Sequence, residues 1–339
     1  VHLNNGGYYV GITIKEIAKL CGVSTGTVDR AINNRTGISD KTKARILSVA
    51  EQMDYRPDYM AQSLARGRTM TIGVVLFDLY NRLFAQLLNA IESEARQQGY
   101  YIDVVLTDKQ PDTELSCLAH LVSRKVDGII LFSVNQGQKF HNYLTSLALP
   151  IVTICNRIPD GNWPYIGIDD RAAMKEATRF VLTKGYERII FVCPPLAYRG
   201  IRNIHTQEER LAGYLEAIEP FKSEVEITII QQRDYIASMS ELHLEQKRAA
   251  IMCTCDIHAL EVLHYVQEVR GLRVPEDVGV MGFDDIDVLK YVKPQLATVE
   301  YNVQEMGKMA VESLLSQLNG NESQQQPLVS YSLVAGQSI

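Results

Sequence analysis

The sequence predicts an α/β protein in which two lobes of doubly wound parallel sheet follow a small all-α module. Three observations carry this. From Thr71 onward, eight apolar runs recur: "TIGVVLF", "YIDVVLT", "DGIILFS", "PIVTIC", "RIIFVC", "EITIIQ", "AAIMCTC" and "VGVMGF". Runs this continuous fit strands buried on both faces of a parallel sheet. Amphipathic stretches with helical spacing, such as 83–98 and 172–184, separate most of them. Residues 13–56, in contrast, carry helix caps and helical periodicity but no such run. A length of 339 residues suits about two to three folding units.

The all-α module reads as three short helices. Thr13 and Glu16 form a capping box, followed at helical spacing by Ile14, Ile17, Ala18 and Cys21. Gly22 ends that helix. A second begins at Ser24 with Val28, Ala31 and Ile32 on one face, and "NNRTG" closes it. Ser39 caps a third, with Ile46, Leu47, Ala50 and Met53 expected to point inward. Pro57 and Gly67 bracket barely two more helical turns, too short to be stable without a partner.

Composition narrows the function. Through Met70 the chain has ten Lys/Arg against six Asp/Glu, and the remainder has 24 against 34. A basic leading segment on an acidic body points to a polyanionic partner for the first part only. No apolar run reaches the length of a membrane span, and "VHLNNGGYYVG" lacks the basic start and apolar middle of a signal peptide. A mobile arm over 1–12 and a cytoplasmic location are therefore expected. The six cysteines form no C-x-x-C and the seven histidines no H-x-x-x-H, so neither metal nor cofactor is expected.

The stretch Gly22-Val23-Ser24-Thr25-Gly26 also spells the G-x-S-x-G of a hydrolase elbow. An elbow serine needs a strand before it, and "TIKEIAKL" has helical spacing instead. Helix, Gly-containing turn, then helix is the helix-turn-helix arrangement, with Ser24 as a cap. Its second helix offers Thr25, Gly26, Thr27 and Arg30 to base edges or phosphates of a major groove.

"TIKEIAKLCGVSTGTVDRAINNRTGISDKTKARILSVAEQMDYRPDYMAQSLARGRTMTIGVV" and, far downstream, "VPEDVGVMGFDDIDVLKYVKPQLATVEYNVQEMG" resemble the lactose/galactose/purine repressor family of transcriptional regulators. The resemblance covers the whole chain. It implies a helix-turn-helix headpiece over 13–57, a hinge helix and linker over 58–68, and a periplasmic-binding-protein-like core over 69–339. Lobe 1 would take about 69–166 and 297–323, lobe 2 about 167–296 and 324–339. It implies a homodimer on pseudo-palindromic operator DNA, with no membrane partner. The DNA-facing set is Thr13, Ser24, Thr25, Gly26, Thr27, Arg30, Asn33 and Tyr55, with Ala61 and the wedge residue Leu64 in the hinge, parting a minor-groove base step. A small-molecule effector (a sugar, polyol or sugar phosphate) would bind between the lobes, at Asn81, Phe84, Asn156, Arg157, Arg210, Asp256, Asp284 and Tyr301. On their own, Asn81 and Asp284 equally suit helix caps, as do Asp169 and Asp170.

The chain departs from the family pattern at four places. Asp29 replaces a usual serine, unfavourable near phosphates unless it pairs with Arg30 or accepts from a cytosine. Gly26 gives a base-reading position no side chain. Cys255 stands where Asn is common and Tyr301 where Gln is common, which suggests an altered effector. The function so implied is effector-controlled repression of a sugar or polyol operon; the alternative is an exported sugar receptor sharing the core. An enzyme lacks support, since no P-loop or G-x-G-x-x-G occurs.

Overall fold

A computed structural model describes residues 2–3, 9–10, 12–55, 67–159, 161–194, 203–321 and 324–339. It divides into two compact units, Val1–Thr69 and Met70–Ile339.

The first unit opens with a short antiparallel pair, β1 (His2–Leu3) with β2 (Tyr9–Val10), inside the segment expected to be a mobile arm. Three helices follow: α1 (Ile14–Cys21), α2 (Thr25–Ile32) and α3 (Asp40–Gln52). Each begins at a hydroxyl cap. Thr13 and Glu16 form the reciprocal capping box, and Ser24 and Ser39 accept from the amides of Thr27 and Thr42. Gly22 closes α1 at φ 59°, a left-handed conformation that glycine adopts without a Cβ penalty. The helices bury Ile17, Ala18, Cys21, Val28, Ala31, Ile46 and Ala50 against one another. Leu47 and Met53 do not join them; both are 42% exposed, because α3 turns only its Ile46/Ala50 face inward.

The second unit holds two parallel sheets. One has the order β4–β3–β5–β6–β7, from β3 (Thr71–Leu76), β4 (Tyr101–Leu106), β5 (Gly128–Leu131), β6 (Ile151–Ile154) and β7 (Tyr165–Ile166). The other has the order β11–β10–β8–β9, from β8 (Arg188–Val192), β9 (Glu226–Ile230), β10 (Ala249–Cys253) and β11 (Val278–Met281). All eight apolar runs are strands, and β5, β6, β10 and β11 are buried throughout, as two-sided coverage requires. Register is even: β3 pairs Thr71 with Tyr101 and Ile72 with Gly128, and β8 pairs Arg188 with Ala249 and Glu226.

Helices cover both sheets. In the first lobe α4 (Arg82–Gln97) packs on α11 (Val303–Leu318); α5 (Pro111–Ser123) and α6 (Gln138–Ser146) cover the other strands. In the second, α7 (Asp170–Leu182) packs on α8 (His205–Ile218), with α9 (Tyr235–Ser240) and α10 (Asp256–His264) completing the layers. The α7–α8 contact is close enough that a Cβ on Gly213 would lie 2.2 Å from the Arg171 carbonyl oxygen. An antiparallel pair, β12 (Thr298–Tyr301) with β13 (Tyr331–Val334), lies in the connections to and from α11. Among the described residues no helix is long and apolar enough to cross a membrane.

In both sheets the strand order reverses beside the first strand. The chain leaves β3 for β4 on one side and returns to β5 on the other; β8 stands likewise between β9 and β10. Such switch points open a crevice at the carboxyl ends of the strands. The loops after β3, β4, β5, β6, β10 and β11, with the start of α8, therefore build the site.

Candidate functional site

The centre of the crevice is Arg210, buried on α8. Its Nε donates to Asp170 Oδ1 at 2.7 Å, and its Nη1 donates to the Thr254 carbonyl and, at 3.4 Å, to Asp284 Oδ1. The guanidinium lies over the Phe283 ring, 3.7 Å from its centroid. Burial works against that charge, but Asp170 and Asp284 outweigh it and hold the guanidinium protonated. The two carboxylates carry one charge more than Arg210 offsets. Burial raises both, Asp284 to about 6 despite Arg210 and the Tyr301 hydroxyl that donates to it at 2.9 Å. Asp284 also sits at φ 117°, a backbone region costly for any residue with a Cβ. Its amide is tied to the Val299 carbonyl at 3.0 Å, and strain of this kind persists where surrounding structure enforces it. Asp284 Oδ2 and Arg210 Nη2 take no partner among the described residues. An acceptor and a donor thus stand side by side, the arrangement that reads neighbouring hydroxyls.

These two side chains form one wall of a cavity of about 210 Å³. Phe84 and Phe132 supply an apolar surface, their centroids 5.0 Å apart, with Phe77 stacked behind Phe132 at 3.9 Å. Asn81 also lines the cavity while capping α4 through the Leu83 amide, so both of its expected roles coexist. Asp78 turns the loop after β3: its Oδ1 accepts from Tyr80 and Asn81 amides, and its Oδ2 meets Lys109 Nζ at 3.1 Å. Thr206 and Gln207 from α8, Cys155 after β6, and Thr254, Cys255, Ile257 and His258 around the start of α10 complete the lining.

Of the eight effector residues expected from sequence, Asn81, Phe84, Arg210 and Asp284 line the cavity. Tyr301 stands behind, orienting Asp284. The other three are elsewhere. Asn156 is fully buried; its Nδ2 donates to the Ser133 and Asn203 carbonyls and its Oδ1 accepts from the Thr206 amide, which leaves little for a ligand. Arg157 points its side chain to the surface. Asp256 is buried and accepts from the Ile286 amide and the Thr298 hydroxyl, holding the loop that carries Asp284; burial lifts it to about 7. Sequence reasoning missed Asp170, read as a cap. Asp169 is the cap, accepting from the Ala172 amide, and its neighbour reaches Arg210 instead. Lys109, Phe132 and His258 were also missed; a polar or aromatic residue just past a strand end was the only signal.

In the helical unit, Ser24, Thr25, Gly26 and Arg30 are exposed along the start and outer side of α2. Thr27 is half-buried and shares a hydroxyl contact with Ser24 at 2.8 Å. Thr13 is committed to its capping box, and Asn33 donates to Asp29 Oδ1 at 2.8 Å. Asp29 does not pair with Arg30; its partner is Arg35, at 3.1 Å. Arg30 thereby keeps its guanidinium clear of that carboxylate. Tyr55 is half-buried against the three-helix core. Ala61 and Leu64 lie outside the described residues. Ser24 joins two helices rather than a strand to a helix, so the hydrolase-elbow geometry is absent there.

A two-lobed solute-binding core in one chain with a helix-turn-helix module defines an effector-responsive DNA-binding regulator. Residues 13–58 match the bacterial regulatory proteins of the lacI family, and residues 178–339 match the periplasmic binding protein-like domain. The HTH-type transcriptional repressor PurR of Aliivibrio salmonicida is 30% identical over 314 residues, covering 90% of this chain and 92% of that protein. The HTH-type transcriptional regulator KdgR of Bacillus subtilis is 28% identical over 324 residues, 93% of this chain and 94% of that one. In structure, the lac repressor dimer bound to operator and the anti-inducer ONPF superposes with a TM-score of 0.84 at 22% identity, over 97% of this chain and 99% of that one. The chain belongs to the lacI family of bacterial regulatory proteins and is a transcriptional regulator.

Proposed function

We propose that this chain is a cytoplasmic, homodimeric repressor of a sugar or polyol operon, released from or driven onto a pseudo-palindromic operator by a small solute held between its lobes. The observation that carries the reading is the buried Arg210–Asp284 pair, with an unused donor and acceptor beside the Phe84/Phe132 surface. Aromatic faces pack the apolar side of a sugar ring while buried polar pairs select its hydroxyls. The known assemblies of similar proteins support it: the lac repressor neighbour is a dimer on operator, and CelR is a complex with cellobiose. On the DNA side, Thr25, Gly26, Thr27 and Arg30 face the major groove, with Ala61 and Leu64 at the hinge. An exported receptor is disfavoured by the helix-turn-helix match over 13–58.

The test is selection of bound duplexes from a random pool. The wild type enriches a two-fold symmetric site, and Arg30→Ala weakens binding to it by about 1–3 kcal/mol while barely changing non-specific binding. Failure to enrich any symmetric site, or equal affinity of Arg30→Ala for it, refutes the reading.

A further inference from the structure

We propose that the effector is a monosaccharide acid, its carboxylate held at the Lys109–His258 end of the cleft and its ring hydroxyls at Arg210 and Asp284. This rests on the cleft being the effector site and adds the chemical class of what fills it.

Three features meet at that end. Lys109, in the turn after β4, brings the cavity a primary ammonium. His258 lies in the first turn of α10, and its Nδ1, shielded from solvent, has no hydrogen-bond partner among the described residues. A shielded polar atom left without a partner is rare in folded proteins and calls for an explanation, a ligand among them. Burial and the neighbouring Lys109 lower His258 to about 4, so the ring is neutral and the ammonium is the cation of the pair. Finally, the residue before α10, Cys255, gives the helix no side-chain cap, and Cys255, Ile257 and His258 all line the cavity. The positive end of a helix thus borders the same space.

The remaining charge nearby selects the kind of group. Among the described residues Asp78 is the carboxylate lining this end, and both of its oxygens are already occupied, by the Tyr80 and Asn81 amides and by Lys109. An ammonium substituent would meet Lys109 and a helix N-terminus and find no open acceptor. A hydroxyl would satisfy the imidazole but leave the cation without an added partner. A phosphate brings about −1.5 to −2 charges and three acceptor oxygens against one cation already shared with Asp78. A carboxylate brings one charge and two oxygens, matching one ammonium and one imidazole N–H. A cavity of about 210 Å³, smaller than drug-sized pockets, suits a single sugar unit.

The experiment measures binding to the full chain by calorimetry and thermal shift. The probes are glucuronate, galacturonate and gluconate, set against glucose, galactose and glucose 6-phosphate. At least one acid binds about 10- to 100-fold more tightly than its neutral counterpart, the ratio expected for charge-assisted hydrogen bonds. Lys109→Met and His258→Leu each weaken the acid more than its neutral counterpart, and so shrink that ratio. Asp284→Asn weakens acid and neutral sugar alike. The proposal is overturned if no acid binds at millimolar concentration, if a neutral sugar or glucose 6-phosphate binds as tightly as every acid, or if neither Lys109→Met nor His258→Leu changes the ratio. The cleft reading fails separately, if a bound probe is indifferent to Asp284→Asn and leaves operator affinity unchanged.

Discussion

Arg210→Met isolates the electrostatic centre of the cleft. Methionine keeps an unbranched stem over Phe283 but removes the donors that face Asp170, Asp284 and the Thr254 carbonyl. Leaving a buried charge without its partner costs about 3–5 kcal/mol. The carboxyls escape part of that by taking protons. Protonating a carboxyl of ordinary pKa costs about 4 kcal/mol at pH 7 and about 1.5 kcal/mol at pH 5, which caps the loss and makes it pH-dependent. The sign follows from linkage. Asp284 already has a folded pKa of about 6, above its unfolded value, so its contribution to stability is present in acid and is lost as pH rises through about 4 to 6. Without Arg210 both carboxyls shift further up, and this window moves into the range from pH 6 to 8. Glu114, raised to about 7 by burial, titrates in wild type and variant alike and cancels in the difference, whereas Asp256, raised to about 7 by burial and by Asp284, responds to the charge on Asp284 and belongs to the window being measured. Urea unfolding of both proteins at several pH values reads it. The stability deficit should shrink by about 1.4 kcal/mol per pH unit for each proton taken up. Adding Asp284→Asn to Arg210→Met should recover part of the deficit at pH 8. A deficit that stays constant from pH 6 to 8 refutes the argument that Arg210 compensates buried carboxylates.

Other substitutions test the surrounding structure. Glu114 accepts from the Ser133 hydroxyl, the Val134 and Asn135 amides and the Asn135 side chain. Glu114→Ala should therefore cost about 1–3 kcal/mol per stranded amide by urea melts, and Glu114→Gln much less, because the Ser133 hydroxyl can turn to accept. Gly213→Ala forces a Cβ against the Arg171 carbonyl and should lower the melting temperature of the core, by about 1–3 kcal/mol or more in stability; an unchanged melt refutes the close α7–α8 contact. Ser24→Ala removes the cap of α2 and should destabilise the helical unit alone, by about 0.5–2 kcal/mol, seen as a shift of its own unfolding transition and not that of the core.

The strands and helix caps were legible because each depends on local chemistry. A run such as 249–253 can bury both faces only in a covered parallel sheet, and a hydroxyl at 13, 24 or 39 answers to the amides of its own first turn. The cleft was half legible for the opposite reason. Asn81, Asn156, Asp256 and Asp284 all stand just beyond strand ends, where a polar side chain either holds a loop or faces the ligand. Sequence position is the same for both jobs. What separates them is partner count: Asn156 and Asp256 are occupied by backbone and hydroxyl groups from other segments, whereas Asp284 keeps an oxygen unused. Asp169 and Asp170 show the limit at its sharpest. Adjacent identical residues differ in role only through the phase of α7, which turns one to the Ala172 amide of the first helical turn and the other 40 residues along the chain to Arg210.

The contacts that hold the cleft in this arrangement are of two kinds, and their difference is what makes effector control workable. At one rim Arg82 and Asp287 form an exposed two-point ion pair, and Gln86 accepts from the Asp287 amide at 3.2 Å. At another, Asn203 donates to the Val134 and Arg157 carbonyls, and Asn156 donates to Asn203. The first is solvent-screened and contributes little; the second is buried and ties side-chain amides to backbone carbonyls. Moving a two-state equilibrium from 1:99 to 99:1 takes about 5.5 kcal/mol of differential binding. That is within reach of a few charge-assisted hydrogen bonds made only when both walls face the ligand, at about 1.5–3 kcal/mol each. Arg210 and Asp284 lie on one side of the cleft and Lys109 on the other, so on the proposed reading a solute long enough to touch both favours the state that brings them together. A solute that reaches only the Arg210 side has no such preference between states and should leave the DNA equilibrium where it was.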